Sequence, residues 1–398
     1  MATLSRPDPL FFSFADPVGF SGQKAATELV IRGLSGRGWV CKRLPLPVLR
    51  DSGKTASPVR FVISLLAAWF RSLAMVPARG GWLCVNIGQT RFSFIRDAVP
   101  LLAGRTVFGR ERVCITLHGS LFMRWERGSV DERMFTFLLR KAGIVTVLGE
   151  NHRARLVALG IPGDRVRVVI NSCDAGVLDP EGVRAKHAIE PDRKRPLRLL
   201  FLSSLIDTKG YPEYLEAVRR LAAWGGTAVD AVLCGRVSPS EFSEEFKDGS
   251  AAERWIEAQV AAINLFPGSR ARWVRGAAGP EKAALLRDAD IFVLPTRYPV
   301  EAQPVALLEA MASGCAIVTT RAGEISAILD DSCAVMIGAP DADAVEAALQ
   351  SLAVNPEKRS RLAVAAHSRF VERFGVERHL DVWETILGSP PDRKGAAP

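Results

Sequence analysis

Short apolar, strand-like runs alternate with helix-like periodic stretches along most of this 398-residue chain, and few architectures accept that pattern. "LFFSFAD", "WVCKRLPL", "GWLCVNIG", "RVCITLHG" and "GIVTVLG" mark strands in the first half. "LRLLFLSS", "AVDAVLCG", "ARWVRG", "DIFVLPT" and "CAIVTT" mark them in the second, with helices such as "YPEYLEAVRRLAAWG" between. Strands that are apolar throughout, with helices between, predict parallel sheets covered on both faces. "PEGVRAKHAIEPDRKRP", Pro180 to Pro196, interrupts the pattern with charge and three prolines. It marks residues 181–196 as a linker between two doubly wound α/β domains, at 1–180 and 197–370. Ligands are expected in the cleft between them, at the carboxyl ends of the strands.

Apolar residues make up 48% of the chain, enough for two full cores. The seven cysteines are scattered through apolar runs with no C-x-x-C, which predicts buried, reduced thiols and a cytoplasmic protein. The start lacks a basic stretch followed by a clean apolar core, so no signal peptide is read, and no apolar run is long enough to span a bilayer. Residues 1–180 hold 25 Lys and Arg against 13 Asp and Glu; the remainder holds 27 against 30. The basic half is expected to meet something anionic: a membrane surface, a phospholipid-type substrate or nucleic acid. "RFVISLLAAWFRSLAMV", residues 60–76, fits either a helix lying in a membrane interface or a core helix of the first domain.

The most specific stretch is "VEAQPVALLEAMASG", with Glu301 and Glu309 on either side of Pro304. Proline suits the first position of a helix, so the helix is expected from Pro304 to Ser313, with Gln303 near its N-cap and Gly314 closing it left-handed. Glu301 then lies in the loop after the strand "DIFVLP". Glu309 lies on an apolar helix, where a carboxylate needs partners, and sugar hydroxyls would serve. The free amides from Val305 onward suit a diphosphate. Lys209 follows the strand "LLFLSS" in a loop ending "KG", where an ammonium would stabilise a departing diphosphate. His118 follows "RVCITL" at a strand end. Gly22, in the loop after the first strand, would let backbone approach a ligand. Asp288–Asp290 and Asp341–Asp343 match D-x-D, but on helix or turn segments, so they are expected to be solvated, with no metal required.

Together these stretches resemble retaining glycosyltransferases of family 4, which have the GT-B fold of two Rossmann-like domains. "LFLSSLIDTKGYPEYLEAVRRL", "AVLCGRV", "WVRGAAGPEKAALLRDADIFVLPT" and the E-x7-E stretch match in order in the second half. "GFSGQKAATELVIRGLSGRGW", "ITLHGS" and "NSCDAG" match less specifically in the first. The resemblance implies that Glu301 contacts the donor sugar and Glu309 the ribose. Amides around Gln303, Pro304 and Val305 would meet the sugar and phosphates, and His118 the sugar near its reacting carbon. The segment from Trp273 to Ala278 would pass the nucleobase. The family's usual arginine five residues before the lysine is absent, and Ser204 stands there; Arg236 is the expected substitute. A helix over 371–389 would cross back to the first domain, ahead of a disordered tail at 390–398.

The expected activity is metal-independent transfer of a hexose, with retention, from a nucleotide-sugar to a saccharide acceptor. The charge favours a lipid-linked acceptor in bacterial polysaccharide or glycolipid assembly, with peripheral contact at the inner face of the membrane and no nucleic acid. Two alternatives stand beside it: a sugar-nucleotide epimerase of the same fold, and a nucleotide-sugar-binding protein without catalysis. No G-x-G-x-x-G follows the first strand, which argues against a dinucleotide oxidoreductase.

Overall fold

The computed structural model describes residues 8–16, 22–47, 58–76, 78, 80–174, 177–187 and 195–388. They form two compact units, residues 1–172 with 376–398 and residues 173–375.

The first unit is built on a parallel sheet of β1 (Leu10–Asp16), β2 (Cys41–Pro47), β3 (Trp82–Asn86), β4 (Val113–Thr116), β5 (Ile144–Val147) and β6 (Val166–Val168). Its spatial order is β2-β1-β3-β4-β5-β6. Five helices connect the strands: α1 (Gly22–Gly36), α2 (Pro58–Ser72), α3 (Arg91–Phe108), α4 (Val130–Leu139) and α5 (Glu150–Ala158). Successive strand residues point to opposite faces, and both faces are covered. Phe11, Leu83, Val85, Ile115 and Val145 enter one core. Leu10, Phe12, Phe14, Cys84 and Cys114 enter the other.

The second unit carries β7 (Leu197–Leu202), β8 (Val229–Cys234), β9 (Arg270–Val274), β10 (Ile291–Leu294), β11 (Ala316–Thr319) and β12 (Val335–Met336), in the order β12-β11-β10-β7-β8-β9. Counted within the unit this is the 3-2-1-4-5-6 order of a doubly wound nucleotide-binding sheet. Its switch point lies between β7 and β10, which pair in register at Leu199–Ile291 and Leu200–Phe292. The helices are α6 (Pro180–Lys186), α7 (Tyr211–Trp224), α8 (Gly249–Ile263), α9 (Gly279–Asp288), α10 (Val305–Ala312), α11 (Ala342–Val354) and α12 (Pro356–Arg373).

The expected linker at 181–196 is different. Its first residues form α6, which is part of the second unit, and the division falls after Ser172. Asp179 caps α6 through the Gly182 amide at 2.6 Å, and Pro180 takes the first helical position. The helix serves the end of α10. Lys186 donates to the Ser313 carbonyl at 2.7 Å, and the His187 ring nitrogen donates to the Gly314 carbonyl at 2.8 Å. Gly314 has φ +62°, and a Cβ there would lie 2.7 Å from the Val183 side chain. Residues 188–194 lie outside the described residues.

After α12, which runs beyond residue 370 to Arg373, the chain enters α13 (Val376–Leu387), part of the first unit. Leu380, Trp383 and Leu387 fill the core on the Phe12 side. Gly33 lets α1 and α13 approach, since a Cβ there would meet Leu380 at 2.5 Å. Arg37 holds the outer face, reaching Glu377 at 2.6 Å, Asp381 at 2.7 Å and Glu384 at 2.8 Å. The tail at 390–398 lies outside the described residues. The seven cysteines form no disulfide, and six are buried. Among the described residues, no helix is long and apolar enough to cross a membrane.

Candidate active site

Loops at the carboxyl ends of β7 and β10 meet beside the switch point, where such sheets bind ligands. Lys209 comes from the first loop and Glu301 from the second. The Lys209 ammonium lies 3.4 Å from Glu301 Oε2, and both side chains are largely buried. Thr296 donates its hydroxyl to the same carboxylate oxygen at 3.1 Å. The Lys209 ammonium also sits 5.0 Å from the centre of the Tyr298 ring, a cation–π distance.

Close backbone approach makes this possible. Gly210 has φ +90°, and a Cβ there would come within 2.4 Å of the Pro295 carbonyl, so the glycine of the "KG" pair is required. The Arg297 amide donates to the Thr208 carbonyl at 2.8 Å, tying the two loops together. Behind them, the Glu324 amide donates to the Ala302 carbonyl at 2.8 Å. The adjoining Gly323 packs on the Glu301 carbonyl too closely for any side chain.

Two anchors were not foreseen. Asp207, fully buried two residues before Lys209, accepts the amides of Glu244, Glu245 and Phe246 at 2.8, 2.5 and 2.9 Å, and its other oxygen accepts the Thr208 amide at 2.8 Å. The loop after β8 is thereby fixed beside the site, with Phe242 edge-on to Tyr298 at 5.7 Å. The second anchor is Lys282 of α9, whose ammonium lies 2.5 Å from Glu309 Oε1 with both residues 5% exposed. Burial pushes the Glu309 carboxyl above its usual range, while the Lys282 charge opposes that and the Asp174 charge adds to it. Sugar hydroxyls were the expected partner of Glu309; the protein itself supplies a cation.

The helix α10 starts one residue later than expected. Pro304 is its N-cap, Val305 its first residue, and Gln303 is buried just before them. The Leu307 amide donates to the Pro304 carbonyl at 3.1 Å, while the Val305 and Ala306 amides lie before the first helical hydrogen bond, in sequence between Glu301 and Glu309. Ala278 is the N-cap of α9. Ser204 is exposed in the loop after β7. The Leu205 amide donates to the Arg236 carbonyl at 2.9 Å, which sets Arg236 alongside, and the exposed Arg236 side chain donates to the Arg275 carbonyl at 3.4 Å. Trp273 donates its ring N–H to the Gly235 carbonyl at 2.9 Å, with the Arg275 guanidinium 3.8 Å over its ring.

The D-x-D pairs resolve differently from each other. Asp290 is not solvated: it is 1% exposed and forked by Arg195 at 2.6 and 2.7 Å. Asp341 caps α11 through the Ala344 amide at 2.8 Å, and the exposed Asp343 pairs with Arg220. Among the described residues, no three His, Cys, Asp or Glu side chains gather as a metal site would need.

His118 and Gly22 belong to the first unit. Gly22 is not in the loop but opens α1, exposed; residues 17–21 lie outside the described residues. His118 follows β4 by two residues and borders a cavity of about 20 Å³ with Thr27, Asn86, Thr116, Asn171 and His379, enough for a water. Its ring is enclosed although the residue as a whole is half-buried, and burial, then the His379 charge, lowers its pKa to about 4. His379 donates Nδ1–H to the Ile170 carbonyl at 2.8 Å and accepts the Trp383 N–H at 3.2 Å. Burial lowers its pKa, and that of His152, to about 4. Unfolding frees these rings to take protons near pH 6.5, so the stability they hold is present above that pH and lost as pH falls toward 4. Each is expected to lower stability by roughly 1.4 kcal/mol per pH unit inside that window. Urea unfolding followed at pH 7.5 and pH 5 checks this; an unchanged midpoint would show the rings to be hydrated.

Residues 183–369 match the family described as Glycosyl transferases group 1. An alpha-maltose-1-phosphate synthase of Mycolicibacterium smegmatis is 28% identical over 242 residues, 56% of this chain and 57% of that protein. The amylovoran biosynthesis glycosyltransferase AmsK of Erwinia amylovora is 26% identical over 194 residues, 48% of this chain and 42% of that one. The chain thus spans about half the length of the curated relatives it matches. Among solved structures, HepE of Anabaena in complex with UDP-glucose is similar with a TM-score of 0.65 at 14% identity, covering 95% of this chain and 99% of that one. The fold of the chain is GT-B.

Proposed function

We propose that this chain, whose residues 183–369 match glycosyl transferases group 1, is a retaining glycosyltransferase that works without a metal. It moves a hexose from a nucleotide-sugar to a saccharide acceptor, lipid-linked, in bacterial polysaccharide or glycolipid assembly. The observation that carries this reading is the meeting of Lys209 and Glu301 at the switch point of the second sheet, with the start of α10 following directly. An ammonium and helix amides bind a diphosphate; a carboxylate held by Thr296 accepts hydroxyl hydrogen bonds from a sugar. The solved relative holds UDP-glucose, and AmsK serves amylovoran biosynthesis, which supports the donor and acceptor classes.

In the reaction, the bond from the anomeric carbon to the diphosphate oxygen breaks, and that oxygen leaves with the electron pair. Lys209 and the amides of Val305 and Ala306 stabilise the charge it gains. The acceptor hydroxyl bonds to the anomeric carbon on the face the diphosphate left, and its proton passes to the departing phosphate oxygen. Glu301 orients the sugar through its hydroxyls.

A thermal-shift screen against nucleoside diphosphates and their sugars tests the donor site, since ligands that bind the native state raise its melting point. One diphosphate and its sugar are expected to stand out, and the product formed from that sugar to keep the donor's anomeric configuration by NMR. No shift with any diphosphate would overturn the donor assignment, and an inverted product would overturn retention. A shift without transfer to any saccharide acceptor would favour the non-catalytic binding protein, which Ser204 makes the natural rival.

A further inference from the structure

We propose that the outer face of α2, with the adjoining face of α3, docks the first unit onto an anionic phospholipid surface. The helix α2 is turned inside out relative to an ordinary surface helix. Among its described side chains the buried ones are small or polar, Ala68 at 0% and Ser72 at 4% exposed, with Met75 just beyond its end. Five large apolar residues point outward, Val62 53%, Ile63 58%, Leu66 52%, Trp69 52% and Phe70 62% exposed, continued by Leu73 and Val76, while Leu65 is half-buried. The spacing follows one helical face. The neighbouring α3, packed on α2, exposes Phe92, Ile95 and Leu102. An apolar face of this extent on one element needs an occupant.

Charge selects the occupant. Of the six Lys and Arg between Asp51 and Asp97, Arg96 is buried against Asp97 and Arg91 pairs with Asp131, which leaves Lys54, Arg60, Arg71 and Arg79 with no acidic residue among them in the sequence. A second copy docking through the same face would set like charge against like charge. An anionic bilayer supplies the opposite charge over a broad area, and Trp69 and Phe70 are side chains suited to the boundary between headgroups and chains. With 15 residues, α2 spans about 22 Å, short of the ~30 Å hydrocarbon layer, so it lies along the surface. The inference is independent of the transferase reading, because every residue named on this face belongs to the first unit.

The test is flotation with vesicles of phosphatidylcholine, alone or with a large fraction of phosphatidylglycerol, at low and at physiological salt. The protein is expected to float with the anionic vesicles and to release as salt rises. The Trp69→Ser/Phe70→Ser variant is expected to lose roughly tenfold or more of its partitioning, with unchanged circular dichroism and unchanged nucleoside-diphosphate thermal shift. Both side chains are more than half exposed, so folding does not depend on them. Phe92→Ser, on the other helix, is a second variant with the same expected direction. No binding to anionic vesicles at low salt would overturn the proposal. So would equal binding by the double variant, or a stable dimer of the full chain that the double variant abolishes.

Discussion

Lys209→Ala is expected to fold and to bind its acceptor, yet to transfer sugar about a hundred- to a thousandfold more slowly, the usual cost of losing one group that stabilises charge developing in a transition state. The substitution acts on a side chain aimed at the carboxyl end of β7, held between Glu301 and the Tyr298 ring. It leaves the left-handed Gly210 and the Arg297–Thr208 backbone bond in place, so the two loops keep their course. If Lys209 stabilises the leaving diphosphate, kcat falls and the thermal shift produced by the free nucleoside diphosphate shrinks with it. Lys209→Arg keeps a cation and should recover part of both. Glu301→Gln gives the contrasting pattern: the diphosphate shift survives, while the additional shift from the sugar nucleotide is lost. Full transfer by Lys209→Ala would remove the leaving-group role, and a diphosphate shift lost in Glu301→Gln but kept in Lys209→Ala would reverse the two assignments.

How much of this was legible depends on the range of the interaction. Pro304 and Gly314 act through local backbone rules, and they placed Glu301 in a loop and Glu309 on a helix to within one residue. Strand runs apolar on both faces announced two covered parallel sheets. The partners did not show. Lys282 looks like a solvated lysine of an ordinary helix until α9 is laid beside α10, and only then does it close on Glu309. Asp207 is the acid of "DTK", and nothing nearby says that it will collect three amides from residues 244–246. At α6, three prolines and many charges read as a linker, because a seven-residue helix that buries only Val183 leaves almost no periodic pattern. For α2 the obstacle was the reverse. The helix is apolar nearly all round, so its sequence could not say which side the protein would use. Among the described side chains, Ala68 and Ser72 turn inward while Val62, Ile63, Leu66, Trp69 and Phe70 stay outside.

The largest effect on stability is expected from Lys282→Met. Removing one partner of a buried ion pair strands the other charge, at a cost of about 3–5 kcal/mol. Here that charge is the Glu309 carboxylate, already pushed up by burial and by Asp174. Without Lys282 the carboxyl would rise further, so the deficit should be full at high pH and shrink as acid protonates the folded form. The double variant Lys282→Met/Glu309→Leu removes both charges and fills the space with apolar atoms. Its stability should return to within about 1–2 kcal/mol of the parent, because the pair's attraction and its desolvation nearly cancel. Nucleotide binding separates structure from function. If Glu309 is the ribose grip, the stable double variant still loses the thermal shift given by nucleoside diphosphates. A double variant that binds them like the parent would reduce the pair to a structural clamp between α9 and α10. A double variant as unstable as Lys282→Met alone would show that the site tolerates neither a lone charge nor an apolar replacement, and that the cost lies in packing instead. Under the first outcome, Lys282 is a positioning residue: it holds one oxygen of Glu309 and so fixes the direction in which the other can meet a ribose.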